Sequence, residues 1–308
     1  MRKIQIIGAP IDLGSESLGV DIGPNAIRHA GLIPALSSFG YEVLDSGNIN
    51  VNPPLTKPKN KKLKYLEDIL SANKKLALTI YKGLKKGYNP LTLGGDHTVA
   101  LGSVSAIKKY YQEIALIWID AHPDTNTDKT TLTGNIHGMP LAALLGEGHQ
   151  KLTHLLNIHP KIDPQKVVVI GAKDMDEDEI EIINKYQLLM FTIDDIEELG
   201  IHQVTKKALT KILKGVSHLH ISMDLDAIDI KDAPGVGMQN YGGLTYREIS
   251  YLARKIGEIN ISKSIDLVEL NPTRDLENKT AKLAVELILS FLGKRYTNYE
   301  LYLERNKF

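Results

Sequence analysis

The run Asp120-Ala121-His122-Pro123-Asp124 follows directly on the apolar stretch Ile114 to Ile119. Alternate residues of a strand point to one face, so Asp120, His122 and Asp124 can project together while Ala121 and Pro123 turn away. Two carboxylates and an imidazole at a strand end are the donor types that hold a hard or borderline metal ion. In a fully extended chain the outer two would stand about 13 Å apart, too far for one ion. The chain must therefore curl here, or serve two ions, which in two-metal hydrolases lie roughly 3.5 to 4 Å apart and share carboxylates. A strand-end Asp also serves as a turn cap, so the run by itself leaves both readings open.

Three other segments share its form. Leu91 to Leu93 delivers Gly94-Gly95-Asp96-His97-Thr98, Leu219 to Met223 ends in Asp224-Leu225-Asp226, and Ile265 to Val268 ends at Glu269. In open parallel sheets the carboxyl ends of the strands form the ligand edge. Asp120, Asp124, Asp224 and Asp226 carry four negative charges when ionised, which two divalent cations would cancel. With His97 and His122 they make a donor set of oxygen and nitrogen without sulfur, suited to Mn²⁺ and tolerant of Fe²⁺, Co²⁺ or Zn²⁺. The chemistry such a set permits is metal-assisted hydrolysis.

The elements that must position these residues alternate in type. Strand character occurs at Ile4 to Gly8, Tyr41 to Leu44, Leu91 to Leu93, Ile114 to Ile119, Val167 to Ile170, Leu188 to Thr192, Leu219 to Met223 and Ile265 to Leu270. Helical spacing occupies Pro24 to Phe39, Leu63 to Leu84, Val99 to Tyr110, Met175 to Tyr186, Val204 to Leu213, Tyr246 to Ile256 and Lys279 to Phe291. This alternation predicts a mostly parallel sheet with helices on both faces, a three-layer αβα fold. The Pro-rich and Lys-rich stretch Asn52 to Lys62 is too short to separate domains, so residues 1–308 read as a single catalytic domain.

Composition narrows the partners. Lys plus Arg equals Asp plus Glu at 37 each, so net charge gives no reason to expect nucleic acid or an anionic membrane, and a small-molecule substrate is expected. The absence of cysteine excludes disulfides and thiolate metal sites. No run approaches the roughly 18 apolar residues of a membrane span, and Met1 to Ile7 lacks the features of a signal peptide, so a cytoplasmic location is expected.

Gly94 to Thr98, Asp120 to Asp124 with Asn126-Thr127, Gly134-Asn135-Ile136-His137-Gly138, Ser222 to Asp226 and Gly242 to Glu248 resemble, in order, the signature blocks of the ureohydrolases, and of the arginase family most closely. The likeness runs from Gly8-Ala9-Pro10 and Gly19 to Pro24 as far as Glu269-Leu270-Asn271-Pro272. It implies an eight-stranded sheet, two Mn²⁺ per subunit and a homo-oligomer, trimer or hexamer. By position it implies that His97, Asp120, Asp124 and Asp224 bind one ion and Asp120, His122, Asp224 and Asp226 the other. Hydroxide bridging the ions would attack the guanidinium of L-arginine, releasing urea and L-ornithine. His137 resembles the family's proton shuttle and Glu269 the carboxylate that orients the guanidinium.

The same resemblance assigns Asn126, Thr131 and Thr133 to the substrate's α-carboxylate, Asp176 to its α-ammonium, and Glu179 to a water-mediated contact. Thr133 stands where many relatives have Ser. The acidic run around Asp176 also suits a helix N-terminus. Asp96, Asp229 and Asp266 read as acids that orient ligands or fix loops. Two departures stand out: Ile230 where the family usually has Pro, and Gly237-Met238-Gln239 where Gly-Thr-Pro is typical. Met238 cannot offer a hydroxyl. The alternatives left open are a related ureohydrolase acting on agmatine or a guanidino acid, and a metal-binding oligomer with impaired turnover.

Overall fold

The computed structural model describes residues 2–52, 57, 58 and 60–296. Its strands are β1 (Arg2–Ala9), β2 (Tyr41–Asn48), β3 (Asn89–Gly94), β4 (Ile114–Ile119), β5 (Val167–Ala172), β6 (Leu189–Thr192), β7 (His218–Asp224) and β8 (Ser262–Val268). They form one sheet in the order β2-β1-β3-β8-β7-β4-β5-β6, with every pairing parallel. All six residues of β4 are buried, because helices cover both faces of the sheet and its central strands have no solvent side to leave polar.

The helices are α1 (Gly23–His29), α2 (Leu32–Ser38), α3 (Leu66–Lys85), α4 (Val99–Tyr110), α5 (Pro140–Leu145), α6 (Gln150–Thr153), α7 (Glu177–Tyr186), α8 (Ile193–Ile212), α9 (Tyr246–Gly257) and α10 (Lys279–Phe291). One core joins the sheet to α1, α2, α8, α9 and α10 through residues such as Ile27, Leu36, Val204, Leu252 and Leu287. On the other face α3, α4 and α5 pack through Leu76, Ile80, Leu101, Val104 and Leu141. The expected three layers are therefore present. The single helix expected over Pro24 to Phe39 is instead two, because Gly31 at φ 95 breaks it. α8 begins earlier than its apolar spacing indicates, at a Thr192 cap whose hydroxyl accepts from the Asp195 amide at 3.1 Å, and it runs across a non-helical Gly200.

Among the described residues no helix is long and apolar enough to cross a membrane. The interior does hold a lysine without a carboxylate partner among the described residues. Lys161 has no exposed surface, and its Nζ donates to the carbonyl oxygens of Leu152 (3.3 Å), Thr153 and Ile158 (3.2 Å). Burial pulls its pKa down to about 8. Lys161→Ala strands these carbonyls and leaves a void, so we expect it to cost about 3 kcal/mol, read as a lower urea unfolding midpoint. Lys161→Met, which keeps most of the volume, should cost less.

Candidate metal centre

The acids and imidazoles meet where four neighbouring strands of the sheet, β3, β8, β7 and β4, release their chains. Register aligns them: Ile119 pairs with Met223, and Asp224 with Val268, so Asp120, Asp224 and Glu269 leave the sheet at nearly one level. The curl required of the Asp120 run is present. Asp124 adopts φ 52 and Glu269 φ 63, left-handed backbone that costs a non-glycine residue free energy and recurs at functional sites.

Asp120 is the shared member. His97 Nδ1 stands 2.9 Å from Asp120 Oδ2, 3.2 Å from Asp124 Oδ2 and 3.4 Å from Asp224 Oδ2. His122 Nδ1 lies 3.5 Å from the other Asp120 oxygen and 3.2 Å from Asp226 Oδ2. Two groups of ligand atoms result, His97 with Asp120 and Asp224, and Asp120 with His122 and Asp226. Asp224 Oδ1 accepts the Asp226 amide at 2.8 Å, which holds that turn.

The surroundings aim these donors. The His97 ring stacks on Trp118 at 3.9 Å between centroids, and its Nε2 pairs with Ser222 Oγ at 2.9 Å. Trp118 Nε1 donates to Asp120 Oδ2 at 3.0 Å. His97 Nδ1 is buried without a well-aligned hydrogen bond although three carboxylates face it. A nitrogen lone pair and several carboxylate oxygens converging on one point fit a cation better than they fit each other. The electrostatics agree. Burial, then the charge of Asp120, pushes Asp124 up to about 7. Burial with the charges of Asp226 and Asp120 raises Asp224 well above the carboxylate range, and Asp226 is raised as well. Asp120 alone is lowered: burial opposes its charge, but His122 and His97 outweigh it. Protons thus stand in for positive charge that the donor set calls for.

Beside the cluster, His137 Nδ1 lies 3.5 Å from Glu269 Oε1, and the same oxygen accepts the His97 amide at 3.2 Å. Burial disfavours a charged His137, yet the Glu269 carboxylate more than offsets it and raises the imidazole to about 9. These groups open on a cavity of about 740 Å³. Asn126 and Asp176 stand at its rim, with Asn126 Nδ2 donating to Asp176 Oδ2 at 2.9 Å. Thr133 also lines it. Glu179 lies under the rim, accepting the amides of Thr125 and Asp176 at 3.0 Å each, so it positions both segments.

Thr131 is placed otherwise than expected. It is buried and does not line the cavity. Its hydroxyl accepts the Gly134 amide at 2.9 Å and its carbonyl accepts Lys62 Nζ at 2.5 Å, so it shapes the turn in which Gly134 takes φ 76. Asp96 is buried and accepts the Gly14 amide at 2.7 Å, which ties down the segment after β1. Asp229 accepts the amides of Lys231 and Gly242, and Asp266 pairs with His220 at 3.1 Å. At the departure Ile230, the amide that proline would lack donates to the Asn240 carbonyl at 2.8 Å. Met238 is half exposed and also lines the cavity. Ser15, Glu16, Ser17, Lys173 and Asp174 line it too. Sequence reasoning missed Ser15, Glu16 and Ser17, which come from a loop without a ligand pattern, and gave Lys173 and Asp174, at the start of the acidic run, no role of their own.

Comparison with known proteins supplies the relationship. The Arginase family matches residues 2–293. The arginase of Bacillus subtilis (strain 168) is 44% identical over 294 residues, covering 96% of this chain and 99% of that protein. The arginase of Brevibacillus brevis is 41% identical with the same coverage. The solved arginase of Bacillus caldovelox superposes with a TM-score of 0.93 at 40% identity, covering 96% of this chain and all of that one. With its parallel sheet and this near-complete alignment, the chain belongs to the arginase family.

Proposed function

We propose that this protein hydrolyses L-arginine to urea and L-ornithine with two Mn²⁺ ions per subunit. The observation that carries the reading is one cavity lined by the acidic cluster, the His137–Glu269 pair and the Asn126–Asp176 pair. His97, Asp120, Asp124 and Asp224 would hold one ion, and Asp120, His122, Asp224 and Asp226 the other. Divalent ions held there supply the charge that acidifies a water to a nucleophile near neutral pH.

The remaining work falls to the chain's own groups. A guanidinium entering beside divalent cations is repelled by them, and the Glu269 carboxylate offsets this and orients it through charge-assisted hydrogen bonds. His137 Nδ1 faces Glu269, whose charge favours the protonated ring, and Nε2 would pass a proton to the departing amine. Asn126 and Thr133 present an amide and a hydroxyl to the α-carboxylate, Asp176 receives the α-ammonium, and Thr131 and Glu179 hold the two segments in place. The chain is further proposed to assemble as a homotrimer or hexamer, which light scattering on the eluting protein checks.

Manganese-loaded protein assayed for urea with L-arginine, agmatine and 4-guanidinobutyrate in parallel tests the reading. Urea from agmatine but not from arginine overturns the substrate, and no urea from any of the three with several divalent metals overturns the activity. Asp176→Ala removes a charged contact of roughly 2 kcal/mol, so kcat/KM for arginine should fall about 30-fold. The value for 4-guanidinobutyrate, which has no α-ammonium, should not change. An equal loss on both substrates would mean that Asp176 acts on the fold of the rim rather than on the ammonium.

Met238 offers a second test. A Cβ on Gly237 would approach Glu269 Oε2 to 2.8 Å, so this segment passes directly beside the guanidinium's carboxylate. A thioether there contributes no useful hydrogen bond to a guanidinium. Met238→Thr should therefore raise kcat/KM for arginine by about 3- to 10-fold, the worth of one net hydrogen bond, with metal content unchanged. A fall in rate would show that the methionine is itself fitted to the substrate.

A further inference from the structure

At the pole of the sheet opposite the acidic cluster, the first residues of β1 and β3, the start of β8 and the turn after α9 enclose a second cavity of about 560 Å³. Among the described residues four cationic side chains line it, Arg2, Lys3, Lys86 and Lys263, against a single carboxylate, Glu258. Cations gathered in one concavity repel one another, and carboxylate partners normally relieve that. Here the partners are mostly neutral. The Arg2 guanidinium lies over the rings of Phe39 and Tyr41, 5.4 and 4.9 Å from their centroids, and donates to the Leu292 carbonyl at 3.4 Å. Lys263 Nζ donates to the carbonyl of Ile259 and, at 3.5 Å, to that of Ile261.

Ring faces and carbonyls orient these groups without cancelling their charge. Glu258 is already engaged by Lys255 at 3.0 Å and Arg295 at 3.4 Å. Lys3 has a carboxylate, Glu42 at 3.4 Å, but that group also accepts the Tyr88 hydroxyl at 2.5 Å. Burial, followed by the charge of Arg2, lowers Lys263 to about 8, in keeping with two cations held near each other. An apolar strip of Ile4, Ile259 and Leu292 completes the lining.

The geometry points to this cavity as a binding site for a phosphorylated small molecule, with its phosphate among Arg2, Lys86 and Lys263 and its less polar body against Ile4, Ile259 and Leu292. A phosphate monoester carries about 1.5 to 2 negative charges at neutral pH, against one for a carboxylate, and answers this charge excess better. Arg2 can bind it as a fork and the lysines as point charges. The volume lies within the roughly 300 to 1,000 Å³ of small-molecule sites. Strands of this length, at about 3.3 Å per residue, set the two cavities on the order of 20 Å apart, well beyond the Debye length of about 8 Å at physiological salt.

Calorimetric titration of the manganese-loaded protein with AMP, in low-salt buffer free of phosphate, tests the assignment, with adenosine as the uncharged comparison and inorganic phosphate as competitor. AMP should bind with a submillimolar dissociation constant and adenosine at least about tenfold more weakly, and inorganic phosphate should displace AMP. Lys86→Glu, a change at an exposed position, and Arg2→Ala should each weaken AMP by about tenfold or more, while manganese content and urea formation stay unchanged. Absence of AMP binding at millimolar concentration, equal binding of adenosine, or failure of phosphate to compete overturns the proposal. So does unaltered affinity in both variants, which would place the phosphate at the metal centre instead.

Discussion

Replacing Asp224 by asparagine is expected to lower urea formation from L-arginine on the order of 10³-fold and to remove manganese while the chain stays folded. Asp224 stands in reach of His97 through Oδ2 and holds the Asp226 turn through Oδ1. In the proposed site it would serve as a ligand to both ions. An amide at this position supplies one neutral oxygen in place of two that share a negative charge, so both ions lose a ligand together. Metal ions in hydrolases supply several kcal/mol of transition-state stabilisation, and about 4 kcal/mol corresponds to roughly 10³ in rate.

The fold should tolerate the change, because Asp224 is raised well above the carboxylate range in the metal-free chain. A side chain whose charged form burial and neighbouring carboxylates disfavour loses little on becoming an amide. The measurement is metal content by emission spectroscopy beside activity and the thermal midpoint in chelator. Full metal occupancy with normal turnover would remove Asp224 from the ligand set, and a large drop in the chelated midpoint would make it a structural residue.

The portions of the site that lie within a few residues of a strand end were legible in the sequence. Ile114 to Ile119 is an unbroken apolar run, and it is β4 to the residue, so the residue types after it could be read as groups released at a sheet edge. Lys279 to Phe291 likewise carries its apolar positions at helical spacing and is α10 to the residue. What periodicity does not carry is local backbone sign. The break at Gly31 and the left-handed turns at Asp124 and Glu269 depend on single dihedral angles, which leave apolar spacing almost intact. Nor does it carry the direction in which a loop hydroxyl points. Thr131 and Thr133 are two residues apart and chemically identical, yet one is buried behind the loop and the other lines the cavity. The basic cavity is invisible in sequence for another reason: Arg2, Lys86 and Lys263 come from three distant segments that only the order β1-β3-β8 brings together.

Manganese should stabilise the protein much more at pH 8 than at pH 5.5. In the metal-free chain Asp124 is pushed to about 7, and Asp224 and Asp226 are also raised, first by burial, then by the charges of Asp226 and Asp120 on Asp224 and by that of Asp120 on Asp226. Between the usual carboxylate value and those raised values the folded state holds more protons than the unfolded one, so the stability of the metal-free protein falls as pH rises through this window. His97 acts in the same direction. Burial opposes its charge, but Asp120, Asp124 and Asp224 raise it well above the ordinary imidazole value, and its contribution is present below that ordinary value and lost as pH climbs toward the raised one. Asp120 is lowered, so its contribution is lost only in stronger acid and is constant here.

Metal binding must expel the protons held on these ligands. Each proton expelled is worth about 1.4 kcal/mol per pH unit of affinity, so two of them steepen binding by about 100-fold per unit. The gap between the thermal midpoints of manganese-loaded and chelated protein should therefore widen by many degrees from pH 5.5 to 8, with the chelated midpoint falling while the loaded one holds. A gap that stays constant over that range would mean that the carboxylates are already ionised in the free protein. The positive charge balancing them would then come from the chain itself, and the case for a dication site at Asp120 and Asp224 would fail.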